Sequence, residues 1–402
     1  MKFNMHLFDR LSNVDFRAIW QDLTLPHAFA ILFAFCMPFS TPLSSLFAVC
    51  LIIYFSVSGN WLSKWTFLKT STISIVCLGL FCWTIAAGFY STAPKELLHQ
   101  DWFKYKKLIV VVPLLYYLTP KLKEQLILAF LSGVFVLIGL SLMKGHGFIH
   151  FIQTGEFVYT NSFRIYITEG MFVALALFLL LFQFKQYPDY RLPLAILIAL
   201  LSVHILFMHG RMALVSVMLS LGCFVFWLLP NLKSRLIGLL AVSAVVYAAF
   251  LSSPLIQTRF DRTVSEATEI FASDEPTSIR YQYYLVSWQI FKQHPIIGNG
   301  PGSFHAATLA TGKGDAFPIY THTHNEFLTL LSQYGLIGLG LFLFIIRTSV
   351  SRLFRYGERG EAQIGGVAML IFLLNALTDS MLYMQGYFFV LILALCHIFK
   401  NA

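Results

Sequence analysis

Residues 192–229 read LPLAILIALLSVHILFMHGRMALVSVMLSLGCFVFWLL, and Arg211 carries the one formal charge in the stretch. Two apolar runs, 192–208 and 211–229, meet at the short polar break around His209 and Gly210. Neither run has a polar face. A segment that is hydrophobic all round and close to the roughly 20 residues that span a hydrocarbon core is a helix made for lipid. The same pattern recurs along the chain. The candidate spans are 25–41, 43–58, 71–90, 108–118, 124–143, 168–184, 192–208, 211–229, 236–254, 326–346, 363–381 and 385–399. The fourth is short and is expected to recruit part of 102–107; the first two, broken by Pro38 and Pro42, could instead form a re-entrant hairpin.

The composition agrees. Of 402 residues 57% are hydrophobic and only 12% charged, with a mean hydropathy of +0.72. Soluble chains carry about 25% charged residues, and disordered ones combine low hydrophobicity with high charge. Both classes are excluded, and no ordinary soluble catalytic domain fits beside the spans. The expected fold is an all-α polytopic membrane protein of about 12 helices with one large loop between spans 9 and 10. The divisions are an interfacial N-terminus (1–24), spans 1–9 (25–254), the loop (255–325), and spans 10–12 with a short tail (326–402). The first 24 residues lack a signal peptide's apolar core and cleavage site. The six cysteines all lie in apolar runs, so neither a disulfide framework nor a zinc site is encoded.

Charge sets the orientation. With the N-terminus inside, 16 of the 28 lysines and arginines fall on the inner side, and five of the remaining 12 lie in 255–325, whose length gives them little weight. Both termini are therefore expected in the cytoplasm and the loop on the far side, the periplasm of a bacterial inner membrane. Lys104, Lys106 and Lys107 run against the rule. Either they bind anionic groups on the outer side or their stretch lies in the interface. There is no internal repeat of the transporter kind, and few ionisable residues lie within spans.

Three polar features carry candidate chemistry. Arg211 follows Gly210 at an outer break; a guanidinium there suits an anionic head group, although an interfacial snorkelling arginine is the ordinary alternative. Arg280 opens TSIRYQYYLVSWQIFKQHPIIGNGPGSF, where Tyr283, Tyr284, Val286, Trp288 and Ile290 suggest a helix on or near the membrane. Gly298, Gly300 and Gly302 then read as a tight turn rather than a nucleotide fingerprint, because no strand–helix unit surrounds them. THTHNEFLTLLSQYGLIGLG opens span 10: Thr323 and Glu326 have capping-box spacing, so Glu326 is expected to bond its own helix end. His324 then sits in the first turn, where the helix macrodipole favours a neutral imidazole, as a general base requires. His322 and His324 lack a third ligand at suitable spacing, so no metal is expected. Two arginines and a histidine on one face suggest phosphate-anchored group transfer. No Asp-x-Asp is present for a nucleotide-sugar metal clamp, so a lipid-linked diphosphate donor is favoured.

These motifs resemble the bacterial O-antigen ligase and polymerase superfamily, which also includes protein O-oligosaccharyltransferases. The resemblance rests on Gly210-Arg211-x-Ala213, the Arg280 helix with HPIIGNGPGSF, HTHNEF with YGLIGLG, and the twelve-span layout. The motifs cover roughly 205–345. For the ligase branch, the resemblance implies inverting, metal- and ATP-independent transfer of a glycan from undecaprenyl diphosphate to a lipid A–core hydroxyl, with no cofactor and no nucleic acid. Arg211 and Arg280 would hold the diphosphate, His324 would activate the acceptor, and His322 and Asn325 would support binding. The length favours the ligase over an oligosaccharyltransferase acting on a protein such as pilin, and the clear His-Asn-Glu block favours it over a polymerase. A non-enzymatic flippase would need cations inside the bilayer, whereas these lie at one surface.

Overall fold

A computed structural model of the chain describes residues 23–145, 166–207, 211–252, 279–310, 322–356 and 359–397, with scattered positions between 257 and 268. Among them all regular structure is helical. The helices are α1 (Leu25–Cys36), α2 (Thr41–Val57), α3 (Trp61–Thr70), α4 (Thr72–Gly88) and α5 (Lys95–Asp101). A 3-10 segment, Lys104–Val110, leads directly into α6 (Val111–Tyr117), which is the recruitment expected for the short fourth span. There follow α7 (Pro120–Gly145), α8 (Tyr166–Gln186), α9 (Arg191–Phe207), α10 (Arg211–Cys223) and α11 (Leu232–Ser252). The remainder are α12 (Ile279–Gln293), α13 (Ser303–Ala310), α14 (Glu326–Tyr356), α15 (Arg359–Ala376) and α16 (Met381–Leu395).

Four helical stretches are long and apolar enough to cross a bilayer: Pro120–Lys144, Ile167–Gln186, Pro188–Ile205 and Glu326–Arg355. The pair α2 and α3, bent by 115°, makes a fifth if counted together. Helix length and composition thus give four or five candidate crossings among the described residues. The 12 residues of α1 span about 18 Å at 1.5 Å each, against about 30 Å of hydrocarbon. That length suits the hairpin alternative for the first two segments.

Polar contacts join the buried helices where lipid offers no competing water. Glu169 on α8 is fully buried and takes hydrogen bonds from Ser141 (2.8 Å) on α7 and His204 Nε2 (2.7 Å) on α9. Asn375 on α15 donates to Ser216 Oγ on α10 at 2.8 Å, and Gln363 donates to the Trp227 carbonyl at 3.0 Å. Rising numbers on one helix pair with falling numbers on the other, so α10 and α15 are antiparallel.

The glycine-rich segment has a specific partner. α14 is broken at Gly335 (φ 65°, ψ −165°), which frees backbone groups that a continuous helix would pair. Residues 295–300 supply the replacements. Leu336 and Ile337 donate to the carbonyls of Pro295 and Ile296, while Asn299 and Gly300 donate to those of Ser332 and Gln333, at 2.8–3.2 Å. Gly298 (φ 76°) lies against the break, where a Cβ would come 2.5 Å from Gln333 backbone atoms. The GNGPG and YGLIGLG motifs are therefore two halves of one backbone junction, and the expected tight turn is present. Tyr90, Ser91 and Thr92 after α4 hold the same turn through the carbonyls of Ile297, Pro301 and Asn299.

Candidate active site

α14 begins ahead of that junction. Asn325 Oδ1 accepts the backbone N–H of Leu328 at 3.0 Å, making Asn325 the N-cap of α14. Its amide nitrogen donates to the Leu377 carbonyl at 2.9 Å, so both ends of this side chain bond protein. The expected Thr323–Glu326 capping box does not form. Glu326 is fully buried, accepts Tyr105 O–H at 3.0 Å, and takes the backbone N–H groups of Leu382 and Tyr383 at 2.8 and 3.2 Å. It caps α16 rather than its own helix, because a buried carboxylate is best stabilised at the unpaired N–H groups of a neighbouring N-terminus.

Ahead of the cap, His324 adopts φ 54°, one of two left-handed non-glycine residues among those described. Such a conformation persists only where surroundings over-determine it, and it clusters at functional sites. Here Tyr283 of α12 stacks on the imidazole (5.9 Å between centroids, 19° between planes). Asp379, in the turn between α15 and α16, brings Oδ1 to 3.2 Å from His324 Nδ1 and 3.7 Å from His322 Nδ1. The two imidazoles meet edge to face at 4.5 Å.

Asp379 is the member of this cluster that the sequence did not bring forward. It lies inside a candidate span, 363–381, where a lone carboxylate is itself a functional signal. Its Oδ1 accepts the Ser380 backbone N–H at 2.8 Å and faces both imidazoles. Burial, with help from His324 and Lys104 and against Asp379, pushes His322 down to about 4. His322 is therefore neutral at physiological pH. With its Nδ1 turned toward Asp379, His324 offers Nε2 as the basic nitrogen, and the carboxylate compensates the positive charge that protonation creates.

Of the two arginines, Arg280 lies beside Tyr284, which bonds this block. Arg280 lies on α12 one turn before Tyr284, whose hydroxyl donates to the carbonyls of His324 (3.4 Å) and Leu377 (3.3 Å). Burial raises the Tyr284 phenol and the nearby Arg280 guanidinium opposes it. Arg211 is the first residue of α10; its side chain lies outside the described residues. The antiparallel register places its backbone nonetheless. From the Ser216–Asn375 contact, about a turn and a half back along α10 leads toward the end at which α15 stops.

Donor atoms of His322, His324 and Asp379 all lie within 4.8 Å of one another, close enough to ligate one divalent ion. Asp379 is thus also the third ligand that was not evident from the HxH spacing. Residues 194–343 match the family model described as O-antigen ligase. Over that stretch the chain is similar to the O-antigen ligase family. The match supports membership of the O-antigen ligase and polymerase superfamily. It includes Arg211, Arg280, His322 and His324; Asp379 lies beyond it. No curated protein matches the chain significantly.

Proposed function

We propose that this O-antigen ligase family protein transfers a glycan from undecaprenyl diphosphate to a hydroxyl of lipid A–core at the periplasmic face of the bacterial inner membrane. The observation that carries the proposal is the His324–Asp379 contact at 3.2 Å, beside an arginine-bearing helix. In the reaction His324 Nε2 takes the acceptor proton as the acceptor oxygen bonds the anomeric carbon. The bond from that carbon to the phosphate oxygen breaks with inversion, and undecaprenyl diphosphate leaves with the electron pair. Arg280 and Arg211 balance the charge developing on the diphosphate. Asp379 stabilises the imidazolium, and His322, neutral and buried, packs the base in place. The charge distribution of the connecting segments supports the periplasmic assignment.

The test is transfer in a reconstituted membrane with purified lipid-linked donor and lipid A–core. His324→Ala is expected to lose about 10²–10⁴-fold in rate, the usual worth of a positioned general base. A His324→Ala protein that transfers at the wild-type rate would remove the base and the mechanism with it. A deletion strain separates the branches. A missing ligase leaves bare core with polymer still lipid-linked, a missing polymerase leaves core capped by one repeat, and a missing oligosaccharyltransferase leaves a protein such as pilin unglycosylated.

A further inference from the structure

Of the three lysines that contradict the charge rule, two have structural or solvent roles. Lys107 donates to the Met384 carbonyl at 2.6 Å, and Lys106 is exposed. Lys104 differs. It begins the 3-10 segment, is half-buried, and holds Nζ 4.8 Å from the centre of the Tyr383 ring. Among the described residues this Nζ makes no hydrogen bond and no ion pair. Its charge is felt at both His322 and Asp101, so it lies near both. Asp101 is buried and does not neutralise it directly: Oδ1 accepts Tyr383 O–H, and Oδ2 is a buried oxygen with no hydrogen-bond partner.

A chain of rings relates Lys104 to the base. Tyr383 packs against His322 at 5.5 Å, His322 against His324 at 4.5 Å, and His324 against Tyr283 on the helix that carries Arg280. Lys104 and the helix that carries Arg280 therefore lie at the two ends of this series of contacts, with the histidine pair between them. In an inverting displacement the leaving group and the attacking hydroxyl are on opposite faces of the anomeric carbon. Cations at the two ends of the series would then serve different substrates. If Arg280 faces the diphosphate, Lys104 faces the acceptor.

We propose that Lys104, with Tyr383 and His322, forms a subsite for a phosphate substituent on the acceptor glycan. The proposal rests on the glycan-transfer function proposed above. The lysine would place a charge-assisted hydrogen bond on that substituent while Tyr383 holds its stem and His322 sets the distance to the base.

Acceptor kinetics in zwitterionic nanodiscs test it, with wild type, Lys104→Arg and Lys104→Met each given lipid A–core with its phosphates and the same acceptor stripped of them. Lys104→Met is expected to raise the acceptor KM about ten- to a hundredfold on the phosphorylated acceptor, the worth of one such bond. The loss should fall on KM rather than kcat, Lys104→Arg should recover most of it, and it should vanish on the stripped acceptor. An unchanged KM, a shift in the donor KM instead, or an equal loss on both acceptors overturns the subsite. A loss that appears only when anionic lipid is added to the discs assigns Lys104 to a bilayer head group and overturns it too. Direct binding of the phosphorylated acceptor to immobilised discs needs no chemistry. Binding that depends on Lys104 in a protein that transfers nothing would keep the subsite and sink the proposed function; transfer that needs His324 but not Lys104 would do the reverse.

Discussion

Asp379→Asn removes one charge from the candidate site and little else. The amide has the carboxylate's shape and can still accept from Ser380 N–H, which donates to Oδ1 at 2.8 Å. What disappears is the attraction between a carboxylate and the imidazolium formed when His324 takes the acceptor proton. At the observed 3.2 Å and an effective dielectric constant of about 20, that attraction is about 5 kcal/mol when the proton has fully transferred. A transition state with the proton about half-way across would lose about 2.5 kcal/mol, or close to 10²-fold in kcat. The assay is single-turnover transfer at saturating donor and acceptor, paired with a double-mutant cycle. If the two residues act as one base, His324→Ala with Asp379→Asn should be no slower than His324→Ala alone. An Asp379→Asn kcat within threefold of wild type, or losses that multiply in the double variant, would refute the coupling.

Chelation separates a base from a metal at the same three residues: transfer is expected to be unchanged by excess EDTA, and a loss restored by an added divalent ion would assign His322, His324 and Asp379 to that ion. Gly335→Ala should cost more than about 3 kcal/mol and deplete folded protein in detergent, since its Cβ would fall 2.3 Å from the Ile296 carbonyl at a backbone angle L-residues avoid. Gly340→Ala, with nothing within 4 Å, should melt like wild type, and equal behaviour of the two variants would disprove the junction. Burial pushes Asp101 from 3.8 up to about 6, against the Tyr383 bond, the Lys104 charge and the Gly302 backbone. The folded state then binds the proton more tightly than the unfolded one, so stability falls as pH rises from about 4 to about 6, by at most about 3 kcal/mol, and stays lower above. Melting scans should show that slope in wild type and lose it in Asp101→Asn; parallel slopes would contradict it.

Sites assembled from distant segments leave unequal traces in sequence. Arg280, Tyr283 and Tyr284 lie within one turn of one helix, and His322 to Glu326 occupy five consecutive positions, so local spacing exposes both groups. Glu326 misleads for the same reason. Capping-box spacing names the nearest helix end, whereas the buried carboxylate reaches across to α16. Asp379 and Lys104 have no local context that marks them as partners of the histidines; each was visible only as an exception, a carboxylate within an apolar run and a lysine on the wrong side of the charge balance.

The sequence by itself determined the class of molecule and the residue types available for chemistry. Apolar runs with few charges fold as lipid-compatible helices whatever their partners, and short motifs keep their members adjacent through the backbone. Which charges meet was decided only by the tertiary structure. The Asn325 cap sets where α14 starts, and the Gly335 break ties that helix to residues 295–300. The packing of α15 and α16 then delivers Asp379 to one side of the histidines, and the 3-10 segment brings Lys104 toward them across Tyr383. Electrostatic interactions depend on distance through space, and helices far apart in the chain acquire those distances only when they pack.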